Sequence, residues 1–123
     1  MAEATGTSLR PSETAFDLVV VGAGYIGLEL GTAFAKLDAK VTIVEAEDRI
    51  LPAYDAELVR PVAKRLQALG VDILLRARAS GLAEAGDAVL IEDGNGSKRS
   101  LPAKRILVAT GRRARLEGFG LER

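Results

Sequence analysis

The chain of 123 residues contains no cysteine and no histidine. Without cysteine it can form no disulfide, no dithiol relay and no thiolate zinc site. Without histidine the commonest general base near neutral pH is missing too. These absences restrict the chemistry more than any other feature. The chain has the means to hold a cofactor and little with which to perform acid–base or nucleophilic steps by itself. No excess of one charge is available either: seventeen Lys and Arg balance seventeen Asp and Glu, so no net field favours nucleic acid or an anionic membrane. The uncharged stretch over 18–28 is too short and too glycine-rich to span a bilayer. No secretory signal is recognisable ahead of it, and a cytoplasmic location is expected.

What is present is an ordinary globular composition, 48% apolar and 28% charged, in a length that suits one domain with a single core. The chain is organised around residues 16–37. Leu18, Val19, Val20 and Val21 form a short run suited to a buried parallel strand. After them the period changes. Ile26, Leu30, Ala33, Phe34 and Leu37 recur at i, i+4, i+7, i+8 and i+11, which places them on one face of a helix over 25–37. Between strand and helix stands Gly22-Ala23-Gly24-Tyr25-Ile26-Gly27, and in that context G-x-G-x-x-G is a dinucleotide fingerprint. Gly22 permits the tight turn, Gly24 lets the backbone approach a pyrophosphate, and Gly27 lets the helix lie close against the strand. Gly31 would extend that approach by one turn. The anion's charge is met by unpaired amides and the positive end of the helix, so no lysine is needed, and none is in the turn.

In a chain with thirteen glycines such a pattern is weak by itself, and the flanks decide. Lys-Val-Thr-Ile-Val-Glu over 40–45 reads as a second strand ending in Glu45, about 20 residues beyond the glycines, where a ribose carboxylate belongs. The plain alternative is a helix packed tightly on a strand with no ligand.

Residues 1–15, polar and without an apolar period, read as a disordered leader. A loop over 48–54 contains Pro52, and Asp55 is placed to cap a helix over 56–69 that Gly70 ends. Pro61 is expected to kink that helix or loosen its first turns. Residues 71–75 make a third strand, and the alternation predicts a parallel sheet with right-handed crossovers. Three short segments near 79–85, 88–92 and 97–101 follow, separated by Gly86-Asp87 and Asp93-Gly94-Asn95-Gly96, and read as an antiparallel meander. Residues 106–109 are a last buried strand, followed by Thr110-Gly111.

These residues carry a family resemblance. The run Val-Val-Val-Gly-Ala-Gly-Tyr-Ile-Gly-Leu-Glu-Leu-Gly over 19–31, Val44-Glu45, Arg49-Ile50-Leu51-Pro52 and Val-Ala-Thr-Gly-Arg-Arg over 108–113 together resemble the flavin-dependent pyridine nucleotide-disulfide oxidoreductases. Within that family they are most similar to the dihydrolipoamide dehydrogenase branch. The resemblance covers about residues 17–122 and matches only the middle, NAD-binding domain. It implies an α/β fold: a Rossmann-like parallel sheet with crossover helices plus a three-stranded antiparallel β-meander. The domain would run over 16–113, with 114–123 as the start of a following domain or a tail.

The resemblance also implies roles. Gly22, Ala23, Gly24, Tyr25, Ile26 and Gly27 would bind the pyrophosphate, and Glu45, followed by Ala46, the adenosine ribose. A carboxylate at 45 repels a 2′-phosphate, and Ala46-Glu47 supplies no adjacent arginine, which favours NAD over NADP; Arg49 is the cation that bears on this choice. Tyr25 and Glu29 match positions beside the nicotinamide, their plain alternatives being a surface tyrosine and a solvated glutamate. Ala79 falls where a small residue lies beside the adenine, and Gly111 where the chain closes over the crevice. Both also suit plain strand-end packing. Arg112 and Arg113 either face a neighbouring domain or are solvated.

In such enzymes the redox cysteines, the catalytic histidine, the FAD domain and the dimerisation domain lie elsewhere. The expected function is therefore that of an NAD(H)-binding domain without turnover of its own, from a parent that passes electrons from dihydrolipoamide to a disulfide, then to FAD and then to NAD+. A homodimer is within the family's habit. Three other readings stay open. One is FAD as the bound nucleotide, because 15–22 also resembles the start of the FAD domain; Tyr25-Ile26 argues against it, since the FAD version usually has proline and a small residue there. Another is a non-catalytic interaction module that responds to NAD. The last is a complete small dehydrogenase, for which Tyr54 would be the only proton donor.

Overall fold

The computed structural model describes residues 15–120, so the expected leader, apart from Ala15, lies outside the described residues. Eight elements follow in order: β1 (Phe16–Val21), α1 (Tyr25–Lys36), β2 (Val41–Val44), α2 (Ala56–Ala68), β3 (Asp72–Leu74), β4 (Ala77–Leu82), β5 (Ala88–Asp93) and β6 (Lys98–Val108). They form one six-stranded sheet in the order β3-β2-β1-β6-β5-β4. The pairings β1–β2, β2–β3 and β1–β6 are parallel, and β4–β5 and β5–β6 are antiparallel. The expected α/β fold with a parallel sheet and a three-stranded meander is what the chain adopts.

The uninterrupted apolar runs of β1 and β2 have a direct cause. Leu18, Val20, Val41 and Ile43 pack with Leu28 and Ala35 of α1 and with Val59 and Leu66 of α2. Val19, Val21 and Val44 pack instead with Val89, Ile91, Leu101 and Ala103 of the meander. Strands covered on both faces have no polar side to alternate with.

Three local expectations are corrected. The helical face read from the apolar period is not the buried one. In α1 the buried residues are Gly27, Leu28, Gly31 and Ala35, while Leu30 is 39% exposed, Phe34 44% and Leu37 76%; Ala33 is exposed as well and Ile26 half-buried. Small residues let α1 sit close to the sheet, and its larger apolar side chains are turned outward. Second, 97–101 and 106–109 are not separate strands but parts of β6, which pairs with β5 through Pro102 and with β1 from Ala103 onward. Pro102, with no N–H, sits at the changeover of partners, before the ladder to β1 begins. Third, Asp55 occupies the position before α2, but its side chain makes no capping bond. Helix α2 also runs unbroken through Pro61, which is exposed, so the Glu57 carbonyl that lacks an N–H partner there faces solvent. The stop at Gly70 is as expected: Gly70 has φ +76°, its N–H donates to Gln67 (3.0 Å) and that of Val71 to Leu66 (3.0 Å), the paired bonds of a Schellman end.

One buried side-chain atom has no hydrogen-bond partner among the described residues. Thr42 is fully buried, shares the meander-facing side of β2 with Val44, and its Oγ1 makes no hydrogen bond among the described residues. A buried hydroxyl left unpaired costs about 1–3 kcal/mol. Thr42→Val keeps the shape and removes that cost, so it is expected to stabilise the chain by about 1–2 kcal/mol, read as a rise in the urea midpoint at constant slope. A variant no more stable than the parent would mean that the hydroxyl is satisfied in solution.

At the start of β1, Asp17 Oδ2 accepts the Lys40 N–H (2.7 Å) and Oδ1 the Lys104 ammonium (2.9 Å). The amide bond from Lys40 and then the bond from Lys104 hold this carboxyl below its ordinary value of 3.8. The folded pKa is the lower one, so the stabilisation is complete above the unfolded value and is lost as pH falls through the folded value. Asp17→Asn is expected to melt lower than the parent at neutral pH, and the gap should close as both are taken down through the carboxylate range. A gap that persisted in acid would show that ionisation is not its source.

Candidate functional site

The parallel strands end level with one another: Val21 is in register with Val44 on one side and Val108 on the other. In a parallel sheet, ligand crevices open beyond such carboxyl ends. Here the chain leaves β1 through the glycine turn. The Gly22 N–H donates to the Val44 carbonyl (2.8 Å), and the Ala109 N–H donates to that of Val21 (2.8 Å). Gly22 has φ +108°, and a Cβ on it would run into the Ala109 carbonyl. A Cβ on Gly27 would run into the Gly22 carbonyl oxygen, and one on Gly31 would lie 3.2 Å from Ile43 Cδ1. Each of these glycines is required or favoured by packing.

Gly24 differs. Its φ is −77°, which any residue adopts, and no heavy atom lies within 4 Å of the place a Cβ would take. It stands immediately before α1, whose first internal bond is the Leu28 N–H to the Gly24 carbonyl (3.0 Å). The N–H groups of Tyr25, Ile26 and Gly27 have no intrahelical acceptor.

The Ala23 peptide between the two glycines is held from both sides. Its N–H donates to Glu45 Oε1 (2.8 Å), and its carbonyl accepts the Leu51 N–H (2.9 Å). Leu51 has φ +47°, a left-handed conformation that costs an ordinary residue about 1–2 kcal/mol. The other oxygen of Glu45 accepts the Glu47 N–H (2.9 Å). Glu45 thus ties β2 to the glycine turn, a role its sequence position did not announce.

Two hollows meet at Gly24, Ala109 and Gly111. The larger, about 500 Å³, is lined also by Gly22, Glu45, Ala46, Glu47, Arg78 and Ala79. The smaller, about 310 Å³ and mostly apolar, is lined by Tyr25, Ile26, Leu107, Val108 and Arg112 beside the shared three. The fold therefore brings together Gly22, Gly24, Tyr25, Ile26, Glu45, Ala46, Ala79 and Gly111. Ala23 and Gly27 support the turn from beneath and line neither hollow. Glu29 is exposed on α1 and lines neither hollow, nor does Tyr54. Arg49 is directed elsewhere: its Nη2 donates to the Pro52 carbonyl (3.0 Å). Arg78, Glu47 and Ala109 line the larger hollow without having been expected in the site from the sequence. Arg78 reaches the cleft because the Arg76 and Ala77 N–H groups donate to the Glu47 and Glu45 carbonyls (both 2.9 Å), which fastens the start of β4 to the end of β2.

Against this geometry, the family model for "pyridine nucleotide-disulphide oxidoreductase" matches residues 3–123. The chain belongs to that family. Among curated relatives, a dihydrolipoyl dehydrogenase from Pseudomonas aeruginosa is 50% identical over 115 residues, covering 94% of this chain and 24% of the relative. One from Haloferax volcanii is 48% identical over 97 residues, covering 77% and 20%. The solved structure of the flavoprotein disulfide reductase RclA from Escherichia coli superimposes with a TM-score of 0.63 at 32% identity, over 76% of this chain and 21% of that one. The chain thus spans about a quarter of the length of the curated relatives it matches. In this chain a glycine turn occupies 22–27 and an acidic residue, Glu45, stands immediately after β2. Among the described residues no group of acidic side chains could hold a metal ion, and no helix is long and apolar enough to cross a membrane.

Proposed function

We propose that the chain is the NAD(H)-binding domain of a flavin-dependent oxidoreductase of the dihydrolipoamide dehydrogenase type. The observation that carries this reading is Gly24. Its backbone angles tolerate any side chain and its Cβ position is open, so packing does not require a glycine there, whereas a diphosphate drawn down onto the turn does. The residues fit the group. The unpaired amides at the start of α1 would hold the pyrophosphate. Glu45 would take the ribose hydroxyls, with Ala46 and Ala79 beside the adenine in the larger hollow. The smaller hollow, with Tyr25, Ile26 and Val108, would exclude water around the nicotinamide. When bound, that ring supplies a two-electron acceptor for a reduced flavin. The chain's own part is to bind and orient.

With neither cysteine nor histidine, it binds without turnover, and the dithiol and flavin steps belong to the longer parent that the relatives represent. Calorimetric titration of the chain with NADH, NADPH and FAD under one set of conditions tests this. NADH is expected to bind in preference to the other two. Binding of FAD alone would move the chain to the flavin domain of the family, and binding of none would reduce the fingerprint to packing.

A further inference from the structure

Among the described residues, Leu51 is one of three with positive φ that are not glycine, the others being Asp38 and Arg76. Of these it is the one whose N–H is bonded to the glycine turn. Its φ of +47° lies in the left-handed region, which asparagine and aspartate enter more readily than leucine does. Its neighbours have fixed places. Ile50 is buried in the core shared by α1 and α2, and Pro52 lines the larger hollow. The loop is closed by the Tyr54 N–H on the Leu51 carbonyl (3.0 Å) and by Arg49 Nη2 on the Pro52 carbonyl (3.0 Å). With both ends so held, the left-handed turn aims the Leu51 N–H at the Ala23 carbonyl (2.9 Å).

The effect falls on the next amide. No peptide bond among the described residues is cis, and in a trans peptide the carbonyl and the N–H point in opposite directions. Fixing the Ala23 carbonyl toward Leu51 therefore turns the Gly24 N–H away from it. Gly24 lines both hollows, and its N–H has no acceptor among the described residues. It stands one position ahead of the free amides that open α1.

We propose that Leu51 is a positioning residue for the diphosphate: its left-handed backbone holds the Ala23–Gly24 peptide plane so that the Gly24 N–H faces the anion as a further donor. The inference rests on the dinucleotide reading given above. It accounts for a leucine in a conformation that disfavours it, a kind of strain that collects at ligand clamps. The Leu51 side chain also packs, partly buried, against the core, so the test has to separate packing from aim.

Two substitutions do so. Leu51→Ile keeps the apolar volume, but a β-branched residue is an outlier at positive φ, so the turn opens and the Ala23 carbonyl is released. Leu51→Asn gives up the apolar contact and is at ease in the left-handed region. In calorimetric titration with NADH, Leu51→Ile is expected to bind about 10-fold more weakly than the parent, the worth of one charge-assisted bond, and Leu51→Asn to stay within about 3-fold of it. In nitrogen-edited amide spectra the Gly24 N–H should move downfield on adding NADH to the parent and to Leu51→Asn, and stay in place in Leu51→Ile. A chain carrying an ester in place of the Leu51 N–H deletes the donor alone. It should match Leu51→Ile, and it gives the answer if Leu51→Ile does not fold. An ester chain that binds NADH as the parent does, or a loss in Leu51→Asn as large as in Leu51→Ile, overturns the role of Leu51 while NADH binding by the parent stands. Failure of the parent to bind NADH overturns the dinucleotide site itself, and this inference with it.

Discussion

Replacing Gly24 with valine is expected to weaken NADH binding by about 100-fold or more and to cost about 1 kcal/mol of stability. The stability cost is small because φ −77° and ψ −179° suit a β-branched residue and nothing lies in the path of the new side chain; what is lost is a helix-cap preference for glycine over aliphatic residues. The binding loss is large because Gly24 lines both hollows. A valine there stands at their junction and lifts a diphosphate off the amides at the start of α1. Each charge-assisted bond so lost is worth about 1.5–3 kcal/mol, and two of them amount to roughly two decades in affinity or more. Calorimetry gives the affinity and thermal melting the fold. A variant that melts near the parent temperature and binds NADH as before would end the assignment of the glycine turn to the pyrophosphate.

Gly27→Ala should do the reverse, destabilising the chain by about 3 kcal/mol or more through the fold alone. In helix propensity alanine is the better residue by about 1 kcal/mol, so the steric effect has to overcome a gain. It does, because the obstacle is backbone: the added methyl meets the Gly22 carbonyl oxygen, with Val20 Cγ1 3.2 Å away on the same side. Neither can move without shifting α1 from β1 or opening the turn. Gly31→Ala is the internal control. There the nearest atoms are side-chain ends, Ile43 Cδ1 at 3.2 Å and Val41 Cγ1 at 3.7 Å, so repacking and propensity largely offset each other and the net change should stay within about 1 kcal/mol. Urea midpoints of the two variants separate the cases. A Gly27→Ala protein as stable as the parent would mean that α1 stands farther from β1 than the structure has it.

The contrast between Gly24 and its neighbours shows how far the sequence could be read. All four glycines over 22–31 had jobs assigned from spacing alone, and the packing agrees for Gly22, Gly27 and Gly31. The helix they open was placed within one residue at its end, yet its faces were misjudged. An apolar period gives weight to large side chains, whereas α1 buries Gly27, Gly31 and Ala35 because close approach to β1 and β2 matters more there than bulk. Leu30, Phe34 and Leu37 are consequently outside. The same limit applied at β6, where Pro102 and the basic pair Lys104-Arg105 look like a break. Only the exchange of β5 for β1 as partner lets one strand run past them.

What the sequence determined by itself was local and chemical: a strand, a glycine turn and a helix in immediate succession, a carboxylate at the end of the next strand, and the want of any cysteine or histidine to carry a reaction. Those signals lie within one βαβ unit, where chain connectivity fixes what is near what. Tertiary structure decided everything that depends on distant segments arriving together. Glu45 closes onto the Ala23 amide, Leu51 accepts a left-handed backbone to brace the same peptide, and Arg78 is brought to the cleft by a strand that returns from beyond β3. No periodicity encodes such meetings, because they are set by the order of strands in the sheet and by hydrogen bonds between residues far apart in the chain.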